Sequence, residues 1–174
     1  GEIAVRIIET IHKMGLRAVA IYSDIDADAA HVSKADVALR LQGSSISETY
    51  LNMDQILELA EQSSADAIIP GYGFLSENAE FAAAVEEKGM IWVGPTPQQM
   101  ADLGLKHRAR EIAVKADVPI VPGCDSLLTS LEEALEEGER IGFPLMLKST
   151  AGGGGIGLSY CKDVKSLAAT FEGV

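Results

Sequence analysis

The sequence predicts an α/β protein with a parallel sheet, followed by the opening of a second, smaller domain. Three observations carry that reading. Helix-like and strand-like patterns alternate from residue 2 to about residue 93 with short breaks between them, the rhythm that lays helices on a parallel sheet. Glycine, proline, serine and aspartate gather just past the apolar runs, where turns belong. Near the C-terminal end the rhythm changes to a strand, a run of glycines and a return strand.

The elements follow in order. Ile3, Ile7, Ile8, Ile11 and Met14 recur at helical spacing, so residues 2–14 predict a helix with one inward face, stopped by Gly15. Residues 16–22 predict a strand, with Ser23, Asp24 and Asp26 as the loop at its end. Residues 31–35 predict a helical turn, 36–41 a second strand, and 43–47 a polar loop. Asn52 with Gln55 three positions on predicts a capping box ahead of Ile56, Leu57 and Ala60. Residues 65–69 predict a strand ended by Pro70. Gly71 and Gly73 then allow a sharp turn, Ser76 is placed to cap a helix over 77–88, and Phe81, Ala82 and Val85 face inward. Residues 90–93 predict another strand, and Pro95 and Pro97 a rigid turn into a short helix with Met100 and Leu103. Residues 106–116 predict a further helix. Pro119 and Pro122 exclude a central strand and predict an extended crossover. Ser130 with Glu133 predicts a capping box on a helix to about residue 141. Residues 145–147 predict a buried strand, 158–161 its return, and Asp163 a cap on a last helix carrying Val164, Leu167 and Phe171.

Bulk composition removes several functions. The 174 residues carry 14 basic and 26 acidic side chains, a formal net charge of -12, which disfavours non-specific nucleic-acid binding. No apolar run is long enough to span a membrane, and no signal peptide is visible. Cys124 and Cys161 have no metal-like spacing and fit a reducing, cytoplasmic setting. Gly1 leads straight into a helix with no strand before it, so the first strand of the sheet is expected upstream, in a longer natural chain.

The chemistry concentrates at Lys148 and Gly152, Gly153, Gly154, Gly155 and Gly157. Four consecutive glycines are costly in backbone entropy and give free φ and bare amides, which can fold over a polyphosphate. The lysine ahead of them supplies a mobile positive charge. A flexible hairpin turn beside an ordinary surface lysine is the plainer alternative, although four glycines exceed what a tight turn requires. The motif is neither a P-loop, whose lysine follows the glycines, nor a dinucleotide fingerprint. Asp24 and Asp26 could hold a ribose or a metal, or serve only as loop acids. Tyr72, Glu77 and Asn78 lie past a strand end and could line a cleft; alternatively Tyr72 and Phe74 plug the core. Lys106, His107, Arg108, Arg110 and Lys115 stand out in so acidic a chain. Part of that cluster could face an anion, while Lys115 reads as solvated and His107 has no metal partner.

These stretches together resemble the biotin carboxylase family. The resemblance runs through Gly1-Glu-Ile-Ala-Val-Arg6, residues 70–79, Val118-Pro-Ile-Val-Pro-Gly123 and residues 148–157, and covers essentially the whole chain. It implies an N-terminal biotin carboxylase domain at 1–122 and the beginning of an ATP-grasp domain at 123–174. It implies ATP and bicarbonate as substrates, with carboxyl transfer to biotin on a separate carrier domain and then, by a carboxyltransferase domain, to an acceptor. Lys148 and Lys106 match lysines that contact the ATP phosphates, and Gly152–Gly155 with Gly157 match the lid over them. The resemblance places the magnesium ligands, the bicarbonate site and the catalytic base downstream, so no catalytic or metal-binding residue is assigned here, and the 174 residues alone are expected to be inactive. Family members often form homodimers through this half. Ile69 where most members carry histidine, Ile156 where most carry arginine, and the segments 104–107 and 148–151 look most like urea carboxylase, the carboxylase part of urea amidolyase. Carboxylases of guanidine or acyl-CoA, and other ATP-grasp carboxylate–amine ligases, are the alternatives.

Overall fold

The computed structural model describes residues 1–124, 126–149 and 157–173. Their contacts fall into two compact units, Gly1–Met100 and Ala101–Val174.

The first unit is α/β with parallel pairing. Helix α1 (Glu2–Lys13) turns Ile8 inward and leads into β1 (Val19–Tyr22). After a 3-10 turn at 24–26 and helix α2 (Ala30–Lys34), β2 (Val37–Arg40) pairs parallel to β1, with Val19 opposite Val37 and Tyr22 opposite Arg40. Asp36 secures the entry to this pair, accepting from the Ala18 amide at 2.7 Å and contacting His12 Nε2 at 3.0 Å. Helix α3 (Met53–Gln62) leads to β3 (Ala67–Ile68), which pairs parallel to β4 (Ile91–Trp92) across helix α4 (Ala79–Glu87). Helix α5 (Pro97–Gly104) starts on this unit, with Met100 buried.

The strands are shorter than the apolar runs predict. Only part of each run pairs: Ala67 lies opposite Ile91 and Ile68 opposite Trp92, with the Ile91 and Val93 amides donating to the carbonyls of Asp66 and Ile68. One core joins Leu41, Ile56, Leu57, Leu75, Phe81, Val85, Met90, Trp92 and Met100. Phe81 meets Trp92 edge to face at 5.7 Å, and the indole N–H donates to the Pro95 carbonyl at 3.1 Å, so burial leaves no polar group stranded there. Each large apolar side chain in this core contributes about 1.5–3 kcal/mol of transfer free energy.

The second unit holds α6 (Lys106–Lys115), an extended stretch at 118–122, α7 (Leu131–Ile141), the antiparallel pair β5 (Leu145–Lys148) and β6 (Leu158–Cys161), and α8 (Val164–Thr170). Ala134, Cys161 and Leu167 are its buried centre. Gly138 lets α7 approach closely: a Cβ there would lie 2.9 Å from Leu167 Cδ2 and 3.1 Å from Phe143 Cζ.

Several local expectations need correction. β5 is not buried on both faces; its burial alternates and Met146 is 47% exposed, because the described partner is a single antiparallel strand. Two capping boxes are half-formed. Asn52 accepts from the Gln55 amide at 3.1 Å, but the Gln55 side chain turns instead to Gln42 and the Glu48 carbonyl. Ser130 accepts from the Glu133 amide at 3.2 Å, while the Glu133 carboxylate takes the Thr129 amide at 2.7 Å. The full box forms at Asp163 and Ser166. Ser76 does not cap α4: residues 74–77 make a 3-10 turn, and Asn78 caps the helix by accepting from the Phe81 amide at 2.8 Å.

Candidate functional site

The site builds on the base of the β5–β6 hairpin. Lys148 ends β5, exposed, with Leu158 opposite it in the ladder. One step further, the Ser149 amide donates to the Gly157 carbonyl at 2.8 Å and closes the hairpin. Gly157 has φ +71°, and a Cβ there would lie 2.9 Å from Ser149 Cβ and closer still to its Oγ. Glycine is therefore required twice over, by conformation and by space. The expected lid glycines Gly152, Gly153, Gly154 and Gly155 lie outside the described residues.

Lys106 reaches the same base from α6. Its Nζ donates to the Ser149 carbonyl at 2.8 Å. Lys106 is the first residue of a helix whose first turn holds no acid and whose N-cap makes no side-chain bond. Positive charge there opposes the helix dipole by about 0.3–1 kcal/mol at an exposed position. The Ser149 carbonyl offsets part of that cost, and an anion would offset it more fully. Two lysines are thus tied to one hairpin base, Lys148 through the chain and Lys106 through its hydrogen bond.

The rest of the basic cluster is structural. Arg108 pairs with Asp102 at 2.8 Å. Arg110 donates to the carbonyls of Val121 at 2.7 Å and Gly123 at 3.3 Å, and Arg140 joins it on Gly123 at 3.0 Å. These guanidinium groups fasten the proline-bearing stretch, whose carbonyls have no ladder to join. Arg140 also holds the Glu137 carboxyl below its usual range. Burial, with the Glu137 charge second, pushes the Cys124 thiol up, so it stays protonated and is a poor nucleophile. Lys115 sits in the last turn of α6, where the dipole favours it. Among the described residues, no group of three or more His, Cys, Asp or Glu could hold a metal ion.

In the first unit both loop acids are engaged. Asp24 is gripped by the Arg40 fork, through Nη2 at 2.6 Å and through Nε. Asp26 accepts from the Tyr50 hydroxyl at 2.5 Å and from Ser23 Oγ at 2.8 Å. Hydrogen bonds from Arg40, and from Tyr50 then Ser23, lower the two carboxyls. These contacts make them loop acids. Tyr72 does not plug the core: it is 85% exposed, and Leu75 is the buried residue of that turn. Phe74 lies flat on Tyr50, with centroids 5.1 Å apart and planes at 18°. Asn78 is occupied in capping α4. Tyr50 escapes a sequence reading because its only signal is an aromatic ring at the end of a polar loop.

Residues 1–100 match the family described as biotin carboxylase, N-terminal domain, and residues 106–173 match carbamoyl-phosphate synthase L chain, ATP binding domain. The chain is 50% identical over 174 residues to a putative urea carboxylase of Emericella nidulans, covering all of this chain and 14% of that protein. It is 46% identical over 173 residues to a biotin carboxylase of Halalkalibacterium halodurans, covering 99% of this chain and 38% of the relative. A crystal structure of the biotin carboxylase domain dimer of Hydrogenobacter thermophilus 2-oxoglutarate carboxylase, with MgADP, ADP and bicarbonate, superposes with a TM-score of 0.95 at 43% identity, over 99% of this chain and 38% of that one. This chain thus spans well under half the length of each. No helix among the described residues is long and apolar enough to cross a membrane.

Proposed function

The chain belongs to the biotin carboxylase family, and from that premise we propose that it is the ATP-binding front of an ATP-dependent carboxylase of the urea carboxylase kind. ATP activates bicarbonate as a carboxyphosphate species, the carboxyl group passes to N1 of biotin on a carrier domain, and a carboxyltransferase domain delivers it to urea, giving allophanate. The observation that carries the reading is the hairpin base, where Lys106 donates to the carbonyl next to Lys148.

The chain's own residues account for the nucleotide half of this reaction. Lys148 and Lys106 hold the phosphates and neutralise the charge that develops on phosphoryl transfer, where positioning and electrostatics do most of the catalysis. Gly152, Gly153, Gly154, Gly155 and Gly157 form the lid, with the Ser149–Gly157 bond as its hinge. Magnesium supplies further charge neutralisation when bound. Among the described residues no group of three or more His, Cys, Asp or Glu fits it, and the family resemblance is the ground for assigning its ligands, the bicarbonate site and the base to the downstream part of the protein. The 174 residues alone are accordingly inactive. The domain division at 122 and a homodimer formed through this half belong to the same proposal, the latter supported by the dimeric relative.

The acceptor is the least constrained part, because these residues serve the half-reaction that charges biotin. The test takes the complete parent protein with ATP, magnesium and bicarbonate, and measures ADP release with urea, guanidine or an acyl-CoA added in turn. Stimulation by urea is expected. Stimulation only by another acceptor keeps the biotin chemistry and overturns urea. Release that needs no biotin carrier but does need an amine overturns the carboxylase reading in favour of a carboxylate–amine ligase.

A further inference from the structure

The turn that follows β3 is strained, and nothing in the nucleotide chemistry uses it. Gly71 has φ +70°. Gly73 adopts φ 78° and ψ -170°, a region essentially closed to other residues, and Phe74 follows at φ +48°, left-handed despite its side chain. Such strain persists only where surrounding structure over-determines it, and it gathers at functional sites. Here it yields an 85% exposed Tyr72 at the carboxyl end of a parallel strand, the edge at which α/β sheets meet their ligands.

Besides the core that buries Leu75, an aromatic ring from elsewhere grips this turn. The Tyr50 ring lies on Phe74 at 5.1 Å. The Tyr50 hydroxyl is itself fixed at the carboxyl end of β1, donating to Asp26 at 2.5 Å and accepting from the Ser23 amide at 2.9 Å. The turn is also held by Ser76 N–H to the Gly73 carbonyl at 3.0 Å, by Asn78 N–H to the Leu75 carbonyl at 3.1 Å, and by Leu75, which is buried in the core with Leu41 and Phe81. Tyr50 connects the turn to the carboxyl end of β1.

We propose that Tyr50 is a positioning residue for the carboxylation reaction, holding the strained turn 70–77 through its ring while Asp26 and Ser23 hold its hydroxyl. It touches no reacting atom; it sets where the turn presents Tyr72. The proposal rests on the carboxylase reading for its kinetic arm and stands apart from it in its structural arm. All the residues assigned to the ATP phosphates are in the second unit, so a fault in this turn should spare nucleotide binding.

The experiment compares Tyr50→Leu, Tyr50→Phe and Phe74→Leu in the complete parent protein. Hydrogen exchange reads the turn directly. In Tyr50→Leu the amides of 71–77 should exchange about ten-fold faster or more, with α4 unchanged, because opening is local. In the same variant kcat for biotin carboxylation should fall about 10–10²-fold, the scale of a misplaced positioning element, while KM for ATP stays within about two-fold. Tyr50→Phe keeps the ring and should restore most of the activity and protection. If Tyr50→Leu does not fold, Phe74→Leu removes the stack with Tyr50 intact and should give the same split. Unchanged exchange at 71–77 overturns the proposal. So does a parallel loss of kcat and ATP affinity, which signals only a destabilised fold. A wild-type parent without carboxylase activity sinks the reading beneath the kinetic arm and leaves the exchange result to judge whether Tyr50 holds the turn.

Discussion

The turn at 70–78 and the described hairpin base, residues 148–149 and 157–158, each carry glycine at positive φ, yet different forces hold them. The first is fixed by side chains: a stacked ring, a buried leucine, and an asparagine that caps the next helix. The second is fixed by backbone and charge: one amide-to-carbonyl bond and an ammonium on the adjacent carbonyl. A loop that must keep one shape is packed from its flanks. At the described base of the hairpin the fastening groups are an amide and an ammonium, which the proposed reaction would offer to a polyanion. The two also serve different halves of the proposed reaction, which makes the contrast testable.

The largest effect is expected at the hairpin. Lys148→Ala in the complete parent should leave folding intact, since the side chain is exposed, and lower ATP-dependent turnover by about 10²–10³-fold, the scale of removing one preorganised charge from a transition state. Circular dichroism and ADP release check the two parts. An unchanged ATP dependence would refute the assignment of Lys148 and leave its strand with no role beyond the fold.

Glycine offers a second, smaller contrast. A Cβ at Gly73 meets nothing within 4 Å, so Gly73→Ala costs conformation alone, about 1–3 kcal/mol. At Gly157 the same change also drives into Ser149. Denaturant titration of Gly157→Ala, Ser149→Gly and their double mutant should reveal a coupling of about 0.5–3 kcal/mol, the range for residues in contact. Gly73→Ala with Ser149→Gly should be additive. Additivity at 157 and 149 would mean that the hairpin base is looser than its geometry implies.

Much of this was legible in the sequence, and the failures share a cause. The alternation of helix and strand, the hairpin with its return strand and the Asp163 cap follow from local patterns, and local patterns are what a sequence displays. The half-formed boxes at Asn52 and Ser130 failed because Gln55 and Glu133 found better partners in Gln42, Glu48 and Thr129. Ser76 lost its capping role to Asn78 because the strained turn carries the chain two residues further before a helix can start. Part of the basic run at 106–115 could face an anion on sequence alone, but Arg108 and Arg110 are drawn to Asp102 and to carbonyls of the proline stretch. Tyr50 was invisible because its importance lies wholly in Phe74, Asp26 and Ser23, all of them 24 or more positions away. Non-local competition decides such cases.

Acid should separate the two loops by the smallest of these effects, and the sign is fixed by Asp26. Hydrogen bonds from Tyr50 and then Ser23 lower its carboxyl below the ordinary value, so the stability it contributes is complete above about pH 3.9 and is lost as pH falls through the lowered value. Protonation removes the charge that the Tyr50 hydroxyl donates to, and with it part of the hold on Phe74. The hairpin base has no carboxylate in its two fastening bonds, which join an ammonium and an amide to carbonyls. Exchange at 71–77, corrected for the intrinsic pH dependence of amides, should therefore rise by roughly a few-fold as pH falls from about 3.9 through the lowered value, while the Ser149 amide keeps its protection over the same range. Asp26→Asn should bring the looser state of the turn to neutral pH and flatten the profile. If both loops loosen together in acid, the change is global, and the separate means of support inferred for them are not independent.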